Sequence, residues 1–383
     1  MDFAFSSEQT MLQDSASRFV QGAYGFDQYL RSLQTHGQCD SEIWGQIADF
    51  GWLGLSAPEA AGGLEGSVLD VALVAEALGA GLVLEPYIAS AVIPSFLLAG
   101  AGSEEQQHRW IGPLVHGNAQ WAVAYAERAG RFDAAYCSLV ARREGAAYRL
   151  TGSKHCVLNA PNAEYLIVSA REANLPGSTV GVGLFVVKAT EPGVSLMPYA
   201  ILGGGVAADV KFDGVLVAAT CRLEGGWADL EAALDVGIVC ECARALGAMN
   251  AMYERTFSYT NTRKQFGMSI SSFQVIQHRL VEMFIEIEQS RSIVLMAAVK
   301  LEGASADERR CAASAAKVYL CKASRFVSQQ AVQLHGGIGV TEELDIGHYF
   351  RLLTAFWSRY GDTEFHLSRM DSVERQSEMV DVR

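Results

Sequence analysis

Two clusters in the C-terminal third have the residue types that hold a phosphorylated ligand. One is Arg263-Lys264-Gln265-Phe266-Gly267. The other is Gln333-Leu334-His335-Gly336-Gly337-Ile338-Gly339. An arginine guanidinium is a planar, permanently charged fork that suits two phosphate oxygens. Consecutive glycines let the backbone approach a ligand with no Cβ in the way. Together they read as a site for a cofactor containing a pyrophosphate, and Tyr360-Gly361-Asp362-Thr363 follows them. No metal pattern accompanies them. The eight cysteines are scattered and the closest pair is Cys240-x-Cys242, a spacing that fits neither a zinc knuckle nor a thioredoxin motif. They read as buried free thiols of a reducing cytoplasm.

The elements that must position these clusters are helical. From about residue 227 the pattern is helical to the end: Leu230 to Arg263, then Gln274 to Lys300 with Ile276, Leu280, Met283 and Ile287 on one face, then Ala304 to Leu334 and Thr341 to Phe356. Residues 1–117 are also helical, with segments over Val68 to Leu82, Ala89 to Ala101 and Glu104 to Val115. Between them, 118–226 reads as strands punctuated by Gly and Pro: Trp121 to Tyr125, Tyr148 to Lys154, Tyr165 to Ala170, Val182 to Val187 and Val210 to Val217. With 383 residues, half of them hydrophobic, the chain has ample core. Its net charge of −13 offers no basic stripe for nucleic acid. The start, Met1-Asp2-Phe3-Ala4-Phe5, has no basic signal-peptide region. No apolar run approaches the roughly 18 residues that cross a membrane. The expectation is a cytoplasmic protein with neither nucleic acid nor membrane as a partner.

The order of helices, strands and helices, with these motifs, resembles the acyl-CoA dehydrogenase family over essentially the whole chain. Gly51-Trp52-Leu53-Gly54-Leu55 with Gly62-Gly63 looks like its N-terminal motif. Phe212-Asp213-Gly214-Val215-Leu216-Val217 looks like the strand that ends its β domain. Arg263-x-x-Phe266-Gly267, Phe273-Gln274 and Gln333-x-x-Gly336-Gly337-x-Gly339 resemble its C-terminal motifs. The resemblance is sharpest to small subunits of heteromeric bacterial members of the pimeloyl-CoA and steroid side-chain type, through Tyr24-Gly25-Phe26, the run His335 to Glu343, and Gly347-His348-Tyr349-Phe350. It implies an α+β fold with an N-terminal helical domain, a middle β-barrel-like domain and a C-terminal four-helix bundle. It also implies FAD shared across a subunit interface, with the flavin ring on one subunit's β domain and the ADP end at the neighbour's C-terminal motifs. Carried over, Arg263 contacts pyrophosphate, Phe266 and Gln274 lie beside adenosine, Gln333, Gly336 and Gly337 meet the same end, and Thr363 belongs to the cofactor set. Metal ligands are not implied.

The chemistry so implied is dehydrogenation of an acyl-CoA thioester: a carboxylate takes the α proton while hydride leaves the β carbon for the flavin, with an electron-transferring flavoprotein as acceptor. That base is usually the glutamate of Tyr-Glu-Gly-Thr, where this chain has Gly361. The alternative site in some relatives corresponds to Gly237, followed by Ile238. Asp235, Glu241, Asp362 and Glu364 are the nearby carboxylates. Asp362 and Glu241 are the candidates for a displaced base, the first one residue late in its loop and the second one helical turn beyond Gly237. Their other readings are a capping residue for Asp362 and a polar interface residue for Glu241. The flavin side departs as well. Where the family has threonine and serine around Thr-Glu-Pro, this chain has Ala126 and Phe132. Where it has tryptophan and threonine, it has Cys156 and Leu158.

The losses fall on one half only, so the leading expectation is a subunit of a heteromeric acyl-CoA dehydrogenase. It would lack its own base and complete the ADP half of a homologous partner's FAD site, as a heterodimer with one FAD, doubled to a heterotetramer. Two alternatives stay open: a self-sufficient homo-oligomer using Asp362 or Glu241, and a flavin-dependent monooxygenase or oxidase of the same fold.

Overall fold

The computed structural model describes residues 5–35, 37–172 and 179–381, without side-chain detail beyond residue 375. Its helices are α1 (Ser7–Ala23), α2 (Phe26–Gln34), α3 (Ser41–Asp49), α4 (Val68–Ala80), α5 (Ile93–Ala101), α6 (Glu104–Val115), α7 (Trp227–Thr262), α8 (Gln274–Lys300), α9 (Ala306–His335), α10 (Asp345–Phe356) and α11 (Thr363–Asp381). The strands are β1 (Trp121–Ala124), β2 (Val140–Glu144), β3 (Ala147–Leu158), β4 (Tyr165–Arg171), β5 (Val182–Lys188), β6 (Val194–Ala200), β7 (Val206–Ala218), β8 (Arg222–Gly226), β9 (Lys264–Gln265) and β10 (Met268–Ser269). The helix–strand–helix order read from the sequence is therefore the order found.

The chain forms two compact units, and neither is contiguous in sequence. One gathers the chain through Arg31, Val68–Val83 and Ile238–Arg383. The other gathers Ser32–Ser67 and Leu84–Gly237. Periodicity reads each helix locally, so it placed α4 with its sequence neighbours. Its apolar residues recur around most of the cylinder, and Val71, Val74 and Ala75 are fully buried in the unit that holds the C-terminal helices. The close approach that permits this is at glycine. A Cβ on Gly79 would lie 2.0 Å from the Arg244 carbonyl oxygen, and one on Gly247 would lie 1.8 Å from that of Glu76. Two backbones meet with no side chain between them. Beside that crossing, Arg291 of α8 is paired with Glu76 at 2.7 Å.

In the second unit the strands make one eight-stranded sheet, β6-β7-β3-β2-β4-β5-β8, with β1 added beside β4. The core side carries Leu139, Leu150, Leu166, Phe185, Val210 and Phe212, all fully buried. Three strands were not legible beforehand. β2 is mostly exposed and polar, β6 is an edge strand carrying Pro198, and β8 is Arg-Leu-Glu-Gly-Gly. None shows a strong apolar alternation. A segment read as one helix from Ala89 instead begins as a π-helical turn, Tyr87–Val92, before α5. All eight cysteines are free thiols, but only Cys137, Cys240, Cys242 and Cys321 are buried as expected; Cys39, Cys221 and Cys311 are partly exposed and Cys156 is exposed. Among the described residues no helix is long and apolar enough to cross a membrane.

Replacing Gly247 by alanine should force the α4–α7 crossing apart and cost about 2–3 kcal/mol of unfolding free energy. Urea denaturation measures this, and an unchanged midpoint would show that the two backbones have room to separate.

Candidate active site and cofactor surface

The end of α7 runs into a two-stranded hairpin, β9–β10, closed by the Ile270 N–H donating to the Arg263 carbonyl oxygen at 2.9 Å. Arg263 is exposed at the hairpin's mouth, and its side chain makes no hydrogen bond or ion pair among the described residues. Phe266 sits at the turn with a positive φ of 53° and 90% of its surface in solvent. Its ring meets Phe273 edge to face at 6.1 Å. Gln274 opens α8, exposed. The second glycine motif is brought beside the hairpin by Tyr259, whose ring stacks on His335 at 4.4 Å and whose hydroxyl donates to the His335 carbonyl oxygen. Gln333, Gly336 and Gly337 are exposed there, and nothing lies within 4 Å of where a Cβ on either glycine would be. The two motifs named first in the sequence thus share one surface.

The loop from α10 to α11 carries Tyr360, Gly361, Asp362 and Thr363. It is held by side chains that point at its carbonyl oxygens. The buried Lys317 ammonium donates to the Phe356 carbonyl oxygen and lies over the Phe356 ring, 3.6 Å from its centroid. Cys321 Sγ reaches the Trp357 carbonyl oxygen at 3.8 Å, and the Trp357 indole N–H donates to Ser324 Oγ at 3.1 Å. His366 Nε2 lies 3.1 Å from the Tyr360 carbonyl oxygen, and Nδ1 lies 3.1 Å from Ser314 Oγ. Burial, with the nearby Lys317 and Arg369 charges, holds the His366 ring neutral with a pKa of about 3. Gly361 has a φ of 116°, which suits only glycine, and a Cβ there would lie 2.5 Å from the Phe365 ring and 2.7 Å from His366 Nε2. Asp362 accepts the Phe365 backbone N–H at 2.9 Å and so caps α11. Asp362, Thr363 and Glu364 line an open cavity of about 900 Å³ that also takes in Lys322, Arg325 and Trp357.

Glu241 is buried against two guanidiniums. Arg359 donates to it at 3.1 Å, and Arg244 stands 3.7 Å away. Burial alone would push its carboxyl up; the facing Arg359 and Arg244 charges outweigh that and hold it below the usual carboxylate range. A carboxylate so stabilised is a weak proton acceptor. At Gly237, in the other unit, a Cβ would lie 2.6 Å from Ile93 Cδ1, the end of a side chain that would have to turn aside.

On the sheet, the β3 ladder is interrupted between Lys154 and Val157. The displaced residues are His155 and Cys156, the latter at a φ of 51°. Both meet Asp209 of β7. Its carboxylate lies 2.6 Å from His155 Nδ1, accepts the Cys156 N–H and the Tyr199 hydroxyl at 3.1 Å each, and stands 3.5 Å from Arg128. Burial raises the Asp209 carboxyl, but these donors outweigh it and hold it low. Beneath this face the buried Lys154 ammonium bonds Glu127 at 2.7 Å.

The chain matches the acyl-CoA dehydrogenase N-terminal domain over residues 6–118, the middle domain over 122–215 and the C-terminal domain over 224–372. The acyl-CoA dehydrogenase FadE27 of Mycobacterium tuberculosis is 30% identical, across 81% of this chain and 82% of its own length. The chain belongs to the acyl-CoA dehydrogenase family. Two solved structures are similar at 28% identity and a TM-score of 0.88, each across 97% of this chain. One is a variant of the steroid ACAD Tcur3481–Tcur3483, covered over 99% of its chain; the other is the ChsE4–ChsE5 complex of Mycobacterium tuberculosis, covered over 98%.

Membership in the acyl-CoA dehydrogenases makes FAD the group to test against these residues. The hairpin and glycine surface fits its ADP end: an unpaired guanidinium, a bare aromatic ring, two primary amides and open glycine backbone. The β-domain face offers a paired carboxylate at Asp209, and the family resemblance sets Ala126 and Leu158 where hydroxyls to a flavin ring are expected. Sequence reasoning named Glu241 and Gly361 but missed Arg359, Arg244, Ile93, His366 and Asp209. The one available signal was an arginine directly before the Tyr360-Gly361 motif.

Removing the Glu241 charge, as in Glu241→Gln, leaves Arg359 and Arg244 buried beside a neutral amide and should cost about 3 kcal/mol at pH 7. Because the folded carboxyl is held low, its contribution is full above the unfolded value of about 4.3 and is lost as pH falls through the folded value. The gap between wild type and variant in urea unfolding should therefore close in acid; equal stability at pH 7 would show that the cluster has another counter-charge. Separately, Gly361→Ala should destabilise by about 2 kcal/mol in the same assay, from φ strain and the contact with His366.

Proposed function

We propose that this chain is a subunit of a heteromeric, FAD-dependent acyl-CoA dehydrogenase in which it supplies the ADP-binding half of a homologous partner's cofactor site and no proton-abstracting base of its own. The observation that carries the reading is the opposition of two surfaces. The Arg263 side chain, the Phe266 ring and Gly336–Gly337 are exposed, and the Arg263 guanidinium has no partner among the described residues, while this chain's own side chains crowd Gly237 and Gly361 and pair Asp209 on the sheet. Two structures similar to this chain bear paired names, Tcur3481–Tcur3483 and ChsE4–ChsE5, which supports a heteromeric assembly.

In this reading Arg263 neutralises the pyrophosphate with its two-pronged donor, and Phe266 covers one face of the adenosine. Gln333 and Gln274 supply amide donors and acceptors, and Gly337 lets the main chain approach. Thr363 presents its hydroxyl at the rim of the cavity beside Asp362. FAD, when bound, supplies the hydride acceptor for oxidation of the acyl thioester. This chain's part is to bind and orient one end of it and to exclude water there. The base that takes the α proton comes from the partner, because Gly361 carries no proton acceptor and Glu241 is committed to Arg359. The substrate is an acyl-CoA, and the reduced cofactor is reoxidised by an electron-transferring flavoprotein.

One observation favours the self-sufficient alternative: Asp362 lines an open cavity of about 900 Å³. The two readings separate on FAD stoichiometry. Purified alone, the chain should be colourless; co-purified with its homologous partner it should carry one FAD per pair, and Arg263→Ala should lower that content at least about tenfold, given a charge-assisted pair worth roughly 1.5–3 kcal/mol. A yellow preparation of the chain alone that bleaches with an acyl-CoA would instead establish the self-sufficient enzyme.

A further inference from the structure

Two sequence motifs have no role in the account above, Tyr24-Gly25-Phe26 and Gly347-His348-Tyr349-Phe350. They meet in the fold. The His348 ring is fully buried, with Phe26 edge-on at 5.2 Å and Tyr29 edge-on at 5.1 Å. Its Nδ1 is approached by two donors, the Tyr29 hydroxyl at 3.1 Å and Arg351 Nη2 at 2.8 Å. Its Nε2 faces the Glu342 carbonyl oxygen at 3.2 Å and the Glu342 carboxylate at 3.4 Å. Arg351 closes the ring by gripping the same carboxylate with both prongs, at 2.6 and 2.8 Å.

Arg351 can only donate and the Glu342 carbonyl oxygen can only accept, which suits a neutral ring with its proton on Nε2, although Arg351 Nη2 also lies 3.4 Å from Nε2. Burial lowers the His348 pKa, the Glu342 carbonyl and the Glu342 and Asp345 carboxylates pull it up, and the Arg351 charge pushes it down; the net is downward. A second proton would set Nδ1–H against the Arg351 donor, while the Tyr29 hydroxyl could turn to accept it.

What the ring holds is the turn after α9. Glu342 directly follows Gly336–Val340 and Thr341. The neighbouring Gly347 packs so close to that turn that its Cβ would lie 3.4 Å from the carbonyl oxygens of both Gly339 and Thr341. α10 itself is tied down independently, by Arg255 of α7 pairing with Asp345 and by the Tyr349 hydroxyl donating to the Ala80 carbonyl oxygen of α4. The turn therefore rests on a fixed helix, with His348 between the turn and α2.

We infer that His348 is a positioning residue for the Gly336–Gly337 cofactor surface: neutral His348, set by Tyr29 and Arg351, holds Glu342 and with it the turn that receives the ADP end of FAD. The inference rests on the function proposed above. It makes FAD retention sensitive to the protonation of a residue that does not touch the cofactor.

The test uses the full-length chain co-purified with its homologous partner. His348→Ala should weaken FAD binding about fivefold to tenfold, the loss of roughly one hydrogen bond, with assembly by size-exclusion chromatography unchanged. His348→Gln, which keeps a donor for the Glu342 carbonyl oxygen, should recover part of the loss. Wild-type complex should lose FAD affinity as pH falls below the ordinary histidine range of about 6.5, and His348→Ala should show no such slope. Hydrogen exchange over residues 336–343 of the chain alone should rise in His348→Ala. Should that variant fail to fold, Arg351→Met, which removes the exposed arm of the same ring, must show the same weakening. Unchanged FAD affinity and unchanged exchange in a folded variant would overturn the inference. If instead Arg263→Ala also leaves FAD content unchanged, it is the function proposed for this surface that fails.

Discussion

The C-terminal site depends on how the loop between α10 and α11 is held. Its carbonyl oxygens are claimed by buried side chains from neighbouring helices: Lys317 and Cys321 from α9, and His366 from α11 itself. An ammonium buried at a helix C-terminus meets both the free carbonyls and the negative end of the helix dipole. Burial depresses the Lys317 pKa even so, a measure of how dry the surroundings are. Tyr360 takes a positive φ and Gly361 a φ open only to glycine, because His366 stands where a side chain would be. A side chain at position 361 would therefore meet both an unfavourable backbone angle and the Phe365 and His366 rings.

The same logic recurs at the other altered positions. Ile93 fills the space beside Gly237, and Arg359 and Arg244 take up the Glu241 carboxylate. On the sheet, Asp209 gathers His155, Tyr199, Arg128 and a backbone N–H. Each position has been repacked so that polar groups are satisfied internally, as buried polar groups must be. The hairpin of Arg263 and the turn of Gly336 follow the opposite rule. The Arg263 guanidinium, the Phe266 ring and the Gly336–Gly337 backbone are exposed, and the guanidinium has no partner among the described residues.

Much of this was legible in the sequence. The element order and the pyrophosphate-type motifs came from residue identity and spacing, because backbone conformation and ligand chemistry are local properties, while the glycines at 237 and 361 were marked only by the family resemblance. Helices α6 and α8 follow the apolar periodicity to the residue. The weak strands β2, β6 and β8 did not show, since an exposed or edge strand needs no alternation. Nor did the π-helical turn before α5, whose apolar run suits either helical form.

The sequence by itself determined which groups are present and which are missing: an arginine, two amides and paired glycines for one end of a cofactor, and no carboxylate at either usual base position. Tertiary structure alone decided what those absences mean. That Glu241 is neutralised by Arg359, that His366 occupies the side-chain space of Gly361, and that Tyr29 and Arg351 set His348 against Glu342 are contacts between residues far apart in the chain. Periodicity carries no information about such pairs, because it reports which face of an element is buried and not which residue of another element lies against it.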